Sequence, residues 1–369
     1  MRDDPREHGA AADEPLGEVS TAGDLDAVEA LIRGGGDQLS ELMTRIERHL
    51  DGVTAAAGVP LAAYANATIM AGGKRLRPLL VVLAAEAAGA GGPRDAVSPP
   101  RLDSPDRDQD QRVIRAAVAV ELVHSATLVH DDVIDGAQLR RGHPTVSAAA
   151  GRRAAIATGD LLFSRAFAEL AHNDDAAQLS ALSQASSALA AGELMQREDA
   201  YASHVAIERY LRRCELKTAS LFEAACRLGA LVAVPGSTAA DALAAFARRI
   251  GLAFQLLDDV LDISGPAERT GKSRGTDLLD GTITLPLILA RERDSELARV
   301  DLTTLRGEDG SQKAEELCDR IAGTGALEQA RERALALVAE AKAALPAILP
   351  AGRARRLELL ADAVVERYR

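Results

Sequence analysis

Two clusters of identical form, Asp131-Asp132-Val133-Ile134-Asp135 and Asp258-Asp259-Val260-Leu261-Asp262, lie inside apolar runs of helical character, ELVHSATLVHDDVID and IGLAFQLLDDVLDI. Aspartate is a poor residue for a helix interior and costly to bury unpaired. A fold that accommodates both runs must therefore bring positive charge to each. Positions i and i+4 share a helix face, so Asp131 pairs with Asp135 and Asp258 with Asp262 as two carboxylate claws. Their arms repel unless a cation lies between them. Magnesium suits such a site, because it takes one or two carboxylates and completes its shell with substrate phosphate oxygens. Two claws point to a magnesium cluster holding a diphosphate between two helices.

A single DDxxD is ordinarily a solvated helix face. Here Leu128, Val129, Val133 and Ile134 surround the first cluster, and Leu256, Leu257, Val260 and Leu261 the second. Solvated faces rarely carry that many large aliphatics on both sides.

Composition narrows the fold. The chain is 47% hydrophobic with 2% aromatic residues and no Trp, which favours an all-α core, since strands draw on β-branched and aromatic residues. A net charge of −12 argues against a nucleic-acid surface. Cys214, Cys226 and Cys318 are scattered, without CxxC spacing, so neither zinc nor a disulfide framework is expected and a cytoplasmic setting fits. Residues 1–30 lack a basic start followed by an apolar run, so no signal peptide is expected. No stretch reads as long and apolar enough to span a bilayer.

Residues 1–36, rich in Asp, Glu, Gly and Ala, read as a disordered N-terminal extension. Residues 37–369 read as a single helical domain in which 89–111, with its prolines and charges, forms a long surface loop. Apolar periodicity predicts helices near 37–57, 60–71, 75–88, 112–134, 152–173, 175–199, 205–233, 238–263, 282–293, 313–323, 326–345 and 352–368, with no convincing strand. Each aspartate cluster ends a helix, where the helix dipole offers it no help.

Basic residues answer the aspartates. Gly72-Gly73-Lys74-Arg75-Leu76-Arg77-Pro78 is a compact basic turn whose glycines let backbone approach an anion. Arg140-Arg141-Gly142 follows the first cluster and can fold back over whatever Asp131 and Asp135 hold. Lys217-Thr218 interrupts an apolar helix, and Lys272 follows the second cluster in a glycine-bounded loop. MQREDAY (195–201) is charged and suggests no role.

These residues resemble the trans-isoprenyl diphosphate synthases, or polyprenyl synthetases. The matching stretches are GGKRLRP (72–78), ELVHSATLVHDDVID (121–135), LRRGHPTV (139–146), GDLLFSRAF (159–167), LKTASLF (216–222), GLAFQLLDDVLDI (251–263) and GKSRGTDLLDGTITLPLI (271–288). The resemblance implies an orthogonal helical bundle of the isoprenoid synthase type I fold with a central active-site cavity, and a homodimer. It implies magnesium-dependent head-to-tail joining of isopentenyl diphosphate to an allylic diphosphate, with three ions around the bound diphosphate. Asp131, Asp135 and Asp258 would bind metal, with Asp132, Asp259 and Asp262 as associated carboxylates. Lys74, Arg77, His124 and Arg141 would bind isopentenyl diphosphate. Arg140, Lys217, Thr218, Gln255 and Lys272 would hold the allylic diphosphate. His124 lies two helical turns before Asp131 on the same face, and Gln255 about one turn before Asp258.

In this family, bulk just below the first aspartates limits product growth. Ala126 and Thr127 are small, implying an open tunnel and a product of roughly C30–C50 for a quinone side-chain; Phe163 or Phe167 would form a deeper floor. Alternatives are a C15 or C20 synthase, a class I terpene cyclase, disfavoured by the second DDxxD, and a non-catalytic partner subunit, disfavoured by the intact aspartates. A long prenyl product is insoluble in water, so transient membrane contact at release is expected.

Overall fold

The computed structural model describes residues 22–55, 61–70, 73–89, 105–234, 236, 239–265, 274–307, 309–347, 349 and 352–366. They are largely helical. In chain order come α1 (Ala22–Gly34), α2 (Asp37–Ala55), α3 (Leu61–Met70), α4 (Leu76–Ala88) and α5 (Pro105–Asp135). A two-stranded antiparallel ribbon follows, β1 (Leu139–Arg140) and β2 (His143–Pro144). Then come α6 (Val146–Ala150), α7 (Arg152–Ala171), α8 (Ala176–Asp199) and α9 (Ile207–Cys214), which runs through a π-helical segment, Glu215–Ala219, into α10 (Ser220–Ala233). The chain continues with α11 (Ala239–Ser264), α12 (Thr276–Leu279), α13 (Leu285–Arg293), two short 3₁₀ turns, α14 (Gly310–Ala322), α15 (Ala326–Ala344) and α16 (Arg355–Glu366).

The sequence dictates which helices sit inside. Every residue of α4 from Pro78 to Ala85 is buried, as is every residue of α5 from Ala116 to Val123. In α10 the buried set includes Leu221, Phe222, Ala225, Cys226, Leu228 and Ala230. A helix that is apolar all round belongs in a core. Accordingly α10 packs against α4, α8 and α11, α5 packs against α7, and α11 also packs against α15. Small residues set the spacing: a methyl group at Gly229 would lie 2.1 Å from the Val81 carbonyl oxygen, so α4 and α10 touch backbone to backbone.

Three expectations need correction. Residues 22–34, assigned to a disordered extension, form α1; Val28 and Leu31 are buried, and the helix packs on α16 and α2. Residues 105–111, assigned to a surface loop, are the first two turns of α5, where a proline followed by acidic residues suits a helix start. The rest of both segments, 1–21 and 90–104, lies outside the described residues. Thirdly, Asp108–Asp135 is long and apolar enough to cross a membrane, but 72% of its most apolar window is buried inside the protein, as befits a core helix. The short ribbon is also unforeseen, because two-residue strands leave no alternating pattern to read.

Gly229→Ala should destabilise the fold by roughly 1–3 kcal/mol through overpacking, whereas Gly52→Ala, on an exposed stretch of α2 with nothing within 4 Å, should be neutral or stabilising. Thermal melts of the two variants check the pair.

Candidate active site

The first claw sits at the end of α5. Asp131 and Asp135 face the last turns of α8 and the π-helical segment. Lys217 Nζ lies 4.0 Å from Asp131 Oδ2 and bonds Glu193 as well, while Arg197 bonds Asp135 and donates through Nε to Glu193 Oε1 at 2.9 Å. The result is a chain of alternating charge, Asp131–Lys217–Glu193–Arg197–Asp135. It forms because Gly192 lets α8 approach closely: a methyl there would lie 2.5 Å from the Lys217 backbone nitrogen. Burial pushes Asp131 up to about 6, with Glu193 and Asp135 adding to the rise and Lys217 and Arg140 opposing it. Burial would raise Glu193 too, but Lys217 and Arg197 outweigh it and hold this carboxyl below its usual value. Neither Glu193 nor Arg197 stands out in the sequence, since each looks like one more charge on a helix surface.

Asp132 behaves differently. It is buried and turned toward β1, where Arg140 donates to Oδ1 from Nε at 2.9 Å and lies at 2.7 Å through Nη2. Arg140, expected over the claw, thus folds back one residue to the side.

The second claw ends α11. Asp259 is buried and accepts hydrogen bonds from the Tyr210 hydroxyl (2.6 Å) and from Gln255 Nε2 (2.8 Å). Gln255 Oε1 in turn accepts from Thr218 Oγ1 at 2.7 Å. Asp262 Oδ2 accepts from the Asp277 backbone N–H at 3.2 Å. Burial, reinforced by the Asp277 charge, raises both Asp259 and Asp262 well above the usual carboxylate range. Tyr210 and Asp277 went unrecognised in the sequence, although Asp277 lies in the quoted stretch GTDLLDG. A cavity of about 130 Å³ joins Lys217, Thr218 and Gln255 to Asp259 and Asp277. A larger cavity of about 730 Å³ lies between α1, α15 and α16, lined by Leu31, Leu335, Val338 and Leu359 together with Lys342 and Asp362 and by none of these groups.

The cationic turn before α4 lies beside the second arginine after the first claw. A methyl at Gly73 would sit 3.2 Å from Arg141 Nη1 and 3.5 Å from Arg75 Nη1. Arg75 and Arg141 both adopt left-handed backbone, φ 49° and 52°. Arg75 is held in that strained state by Glu47 (2.6 Å), Glu121 (2.8 Å) and the Ile69 carbonyl (2.9 Å), so it anchors the turn. The Arg77 guanidinium lies 4.9 Å over the Phe222 ring, and its Nε is buried without a hydrogen-bond partner among the described residues. Burial lowers Arg77 to about 10, opposed by Glu121 and assisted by Arg141. Burial first, then Arg77 and Arg141, depresses His124, so its imidazole is neutral at neutral pH. His124 therefore lies in the positive potential of Arg77, Arg141, Arg140 and Arg75. Lys272 lies outside the described residues.

The donor set fits a divalent cation. It is all oxygen, and burial raises Asp131, Asp259 and Asp262, so each carboxylate would gain from a bound cation. Among the described residues no three acidic, histidine or thiol groups form a ready-made metal cage.

The residues expected to bear on chain length lie on α5 and α7. Ala126 is completely buried, and Thr127 donates to the His124 carbonyl oxygen at 2.7 Å. Phe163 stacks on His130, centroids 5.9 Å apart, beside Gly159, whose added methyl would strike His130 at 2.2 Å. Phe167 packs against the core.

Acids with raised folded pKa bind protons more tightly folded than unfolded. Their contribution to stability is therefore present at low pH and lost as pH climbs from the ordinary value of 3.8 through about 6 for Asp131. A divalent cation should offset that loss. The rise in melting temperature on adding metal to chelator-treated protein should be larger near about pH 8 than near about pH 5.5, and the Asp131→Asn/Asp262→Asn double variant should flatten the difference.

With this geometry in place, comparison with known proteins is direct. The polyprenyl synthetase family model matches residues 60–321. The chain is 38% identical to heptaprenyl diphosphate synthase component 2 of Geobacillus stearothermophilus over 252 residues, covering 68% of this chain and 73% of that one. It is 35% identical to geranylgeranyl diphosphate synthase of Methanosarcina mazei over 302 residues, covering 80% and 86%. Its fold superposes on the crystal structure of a polyprenyl synthase from Caulobacter crescentus, complexed with calcium and isoprenyl diphosphate, with a TM-score of 0.79 and 35% identity over 94% of this chain and 99% of that one. The motifs, the all-helical isoprenoid synthase fold and these likenesses agree: the chain belongs to the polyprenyl synthetase family and is a trans-prenyl diphosphate synthase, a prenyltransferase.

Proposed function

We propose that this enzyme makes a long-chain all-trans polyprenyl diphosphate, roughly C30–C50 by family resemblance, by magnesium-dependent addition of isopentenyl diphosphate to an allylic diphosphate, with a quinone side-chain as the product's use. The observation that carries the chemistry is the pair of aspartate claws at the ends of α5 and α11, with Lys217 reaching Asp131 and, together with Thr218 and Gln255, lining the cavity beside Asp259. Lys74, Arg77, Arg141 and neutral His124 hold isopentenyl diphosphate; the orphaned Arg77 Nε and the imidazole N–H supply directed donors. Lys217, Thr218, Gln255, Arg140 and Lys272 hold the allylic diphosphate. Bound magnesium, three ions held through Asp131, Asp135 and Asp258 with the diphosphate, supplies charge neutralisation toward the leaving group. As the allylic C1–O bond breaks, the diphosphate departs with the electron pair. The isopentenyl double bond attacks C1, and the proton lost goes to the departing diphosphate. The apolar helices around the site exclude water from the allylic cation.

Small residues at Ala126 and Thr127 support the long product. The His130–Phe163 stack supports a second reading, termination at C15 or C20, because it fills the seam between α5 and α7. Named relatives include both lengths. Incubation with magnesium, isopentenyl diphosphate and C10, C15 or C20 primers, followed by mass spectrometry, should give a ladder reaching C30 or beyond. A ladder ending at C20 or below would establish the second reading, and Phe163→Ala should then lengthen it.

We place the enzyme in the cytoplasm as a homodimer that touches membranes transiently during product release. Its three cysteines are free and buried. Ile156 on α7 and Leu194 on α8 are 39% and 66% exposed, as suits an association face. Light scattering should return twice the chain mass. Inactivity of the purified chain alone would favour a two-component assembly, as the name of the Geobacillus relative suggests for that protein.

A further inference from the structure

Arg197 comes from the charged stretch 195–201 that suggested no role in the sequence. Its guanidinium bonds Asp135 with one arm and reaches Glu193 with Nε at 2.9 Å. Glu193 also holds Lys217, which lies 4.0 Å from Asp131. Both arms of the first claw are thus already engaged by cations anchored on one shared carboxylate. In that geometry the guanidinium occupies Asp135 Oδ1, for which a metal ion would compete. A guanidinium fork fits a phosphate as well as a carboxylate, and Glu193 is a fixed pivot from which Arg197 can turn.

We propose that Arg197 is a positioning residue acting as a counter-ion latch: it occupies Asp135 in the metal-free enzyme and passes to the diphosphate when metal takes that carboxylate, so metal and diphosphate bind the first claw as a coupled pair. This rests on the metal and diphosphate assignment above. Metal alone must compete with Arg197, whereas metal with diphosphate gives the displaced guanidinium a new partner. By linkage, each ligand then raises the affinity of the other. The rival is an ordinary half-exposed ion pair of little energetic weight.

Manganese binding to the full-length protein, read from the electron paramagnetic resonance of free Mn²⁺, separates the two. The titration is run with and without inorganic diphosphate, against a protein-free control. Diphosphate should tighten manganese binding to the wild type by about fivefold or more. Arg197→Gln should bind manganese alone more tightly than wild type and show a smaller diphosphate effect. Arg197→Lys, which keeps the charge without the fork, should fall between and carries the test if the glutamine variant melts at low temperature. Unchanged or weaker manganese binding in both variants, with the wild-type diphosphate effect intact, overturns the latch. Absence of any diphosphate effect in wild type overturns the metal assignment and the latch with it.

Discussion

Like charge confined in a low-dielectric interior is the constraint on which the rest of this structure depends. Aspartates end two apolar helices, α5 and α11, at the pole where the helix dipole is least welcoming to them. Hydrocarbon packing alone cannot stabilise that arrangement. Asp131, Asp259 and Asp262 all show the conflict, for burial raises each of them. The apolar helices supply rigidity and dryness, and the polar groups that survive among them exist to meet the charge.

The two claws meet it by different means. At the first, the answer is ionic: Lys217, Arg197 and Arg140 are all within contact of Asp131, Asp135 or Asp132. At the second, Asp259 receives neutral donors, Tyr210 and Gln255, while Asp277 adds negative charge beside Asp262. Cations meet the first claw directly, while Asp259 is met by neutral hydrogen-bond donors. Such asymmetry suits a substrate whose charge is concentrated at one end and whose reacting carbon must be freed of it.

Much of this was legible in the sequence, and what was not has a common cause. The claws, the basic turn and the Lys217-Thr218 pair could be read because their residues lie close together in the chain and break an apolar pattern. Helix positions followed from periodicity almost throughout. The partners that complete the site, Glu193, Arg197, Tyr210 and Asp277, act across the fold: Arg197 meets Asp135 from 62 residues away and Tyr210 meets Asp259 from 49. Nothing local distinguishes them from surface charge or core aromatic. α1 was missed for another reason. Its acidic, glycine-rich surroundings concealed Val28, Leu31 and Ile32, whose helical spacing was available to be read. Product length was not legible at Ala126, because a small side chain permits two outcomes, an empty channel or a closer neighbour.

The π-helical segment Glu215–Ala219 joins a helix with polar groups turned to the site, Tyr210 and Arg213 among them, to one that is apolar nearly all round. A wide turn of this kind is a phase shift: it accommodates an extra residue without carrying the rotation forward. Each α-helical residue advances the side chains by about 100°. Loss of a single residue here would leave every recognisable stretch of sequence intact and the rod unbroken, yet it would turn Tyr210 away from Asp259 while α10 stayed seated in the core. A chain altered in that way would still align well with its relatives, and the fault would be visible only as an error of angle.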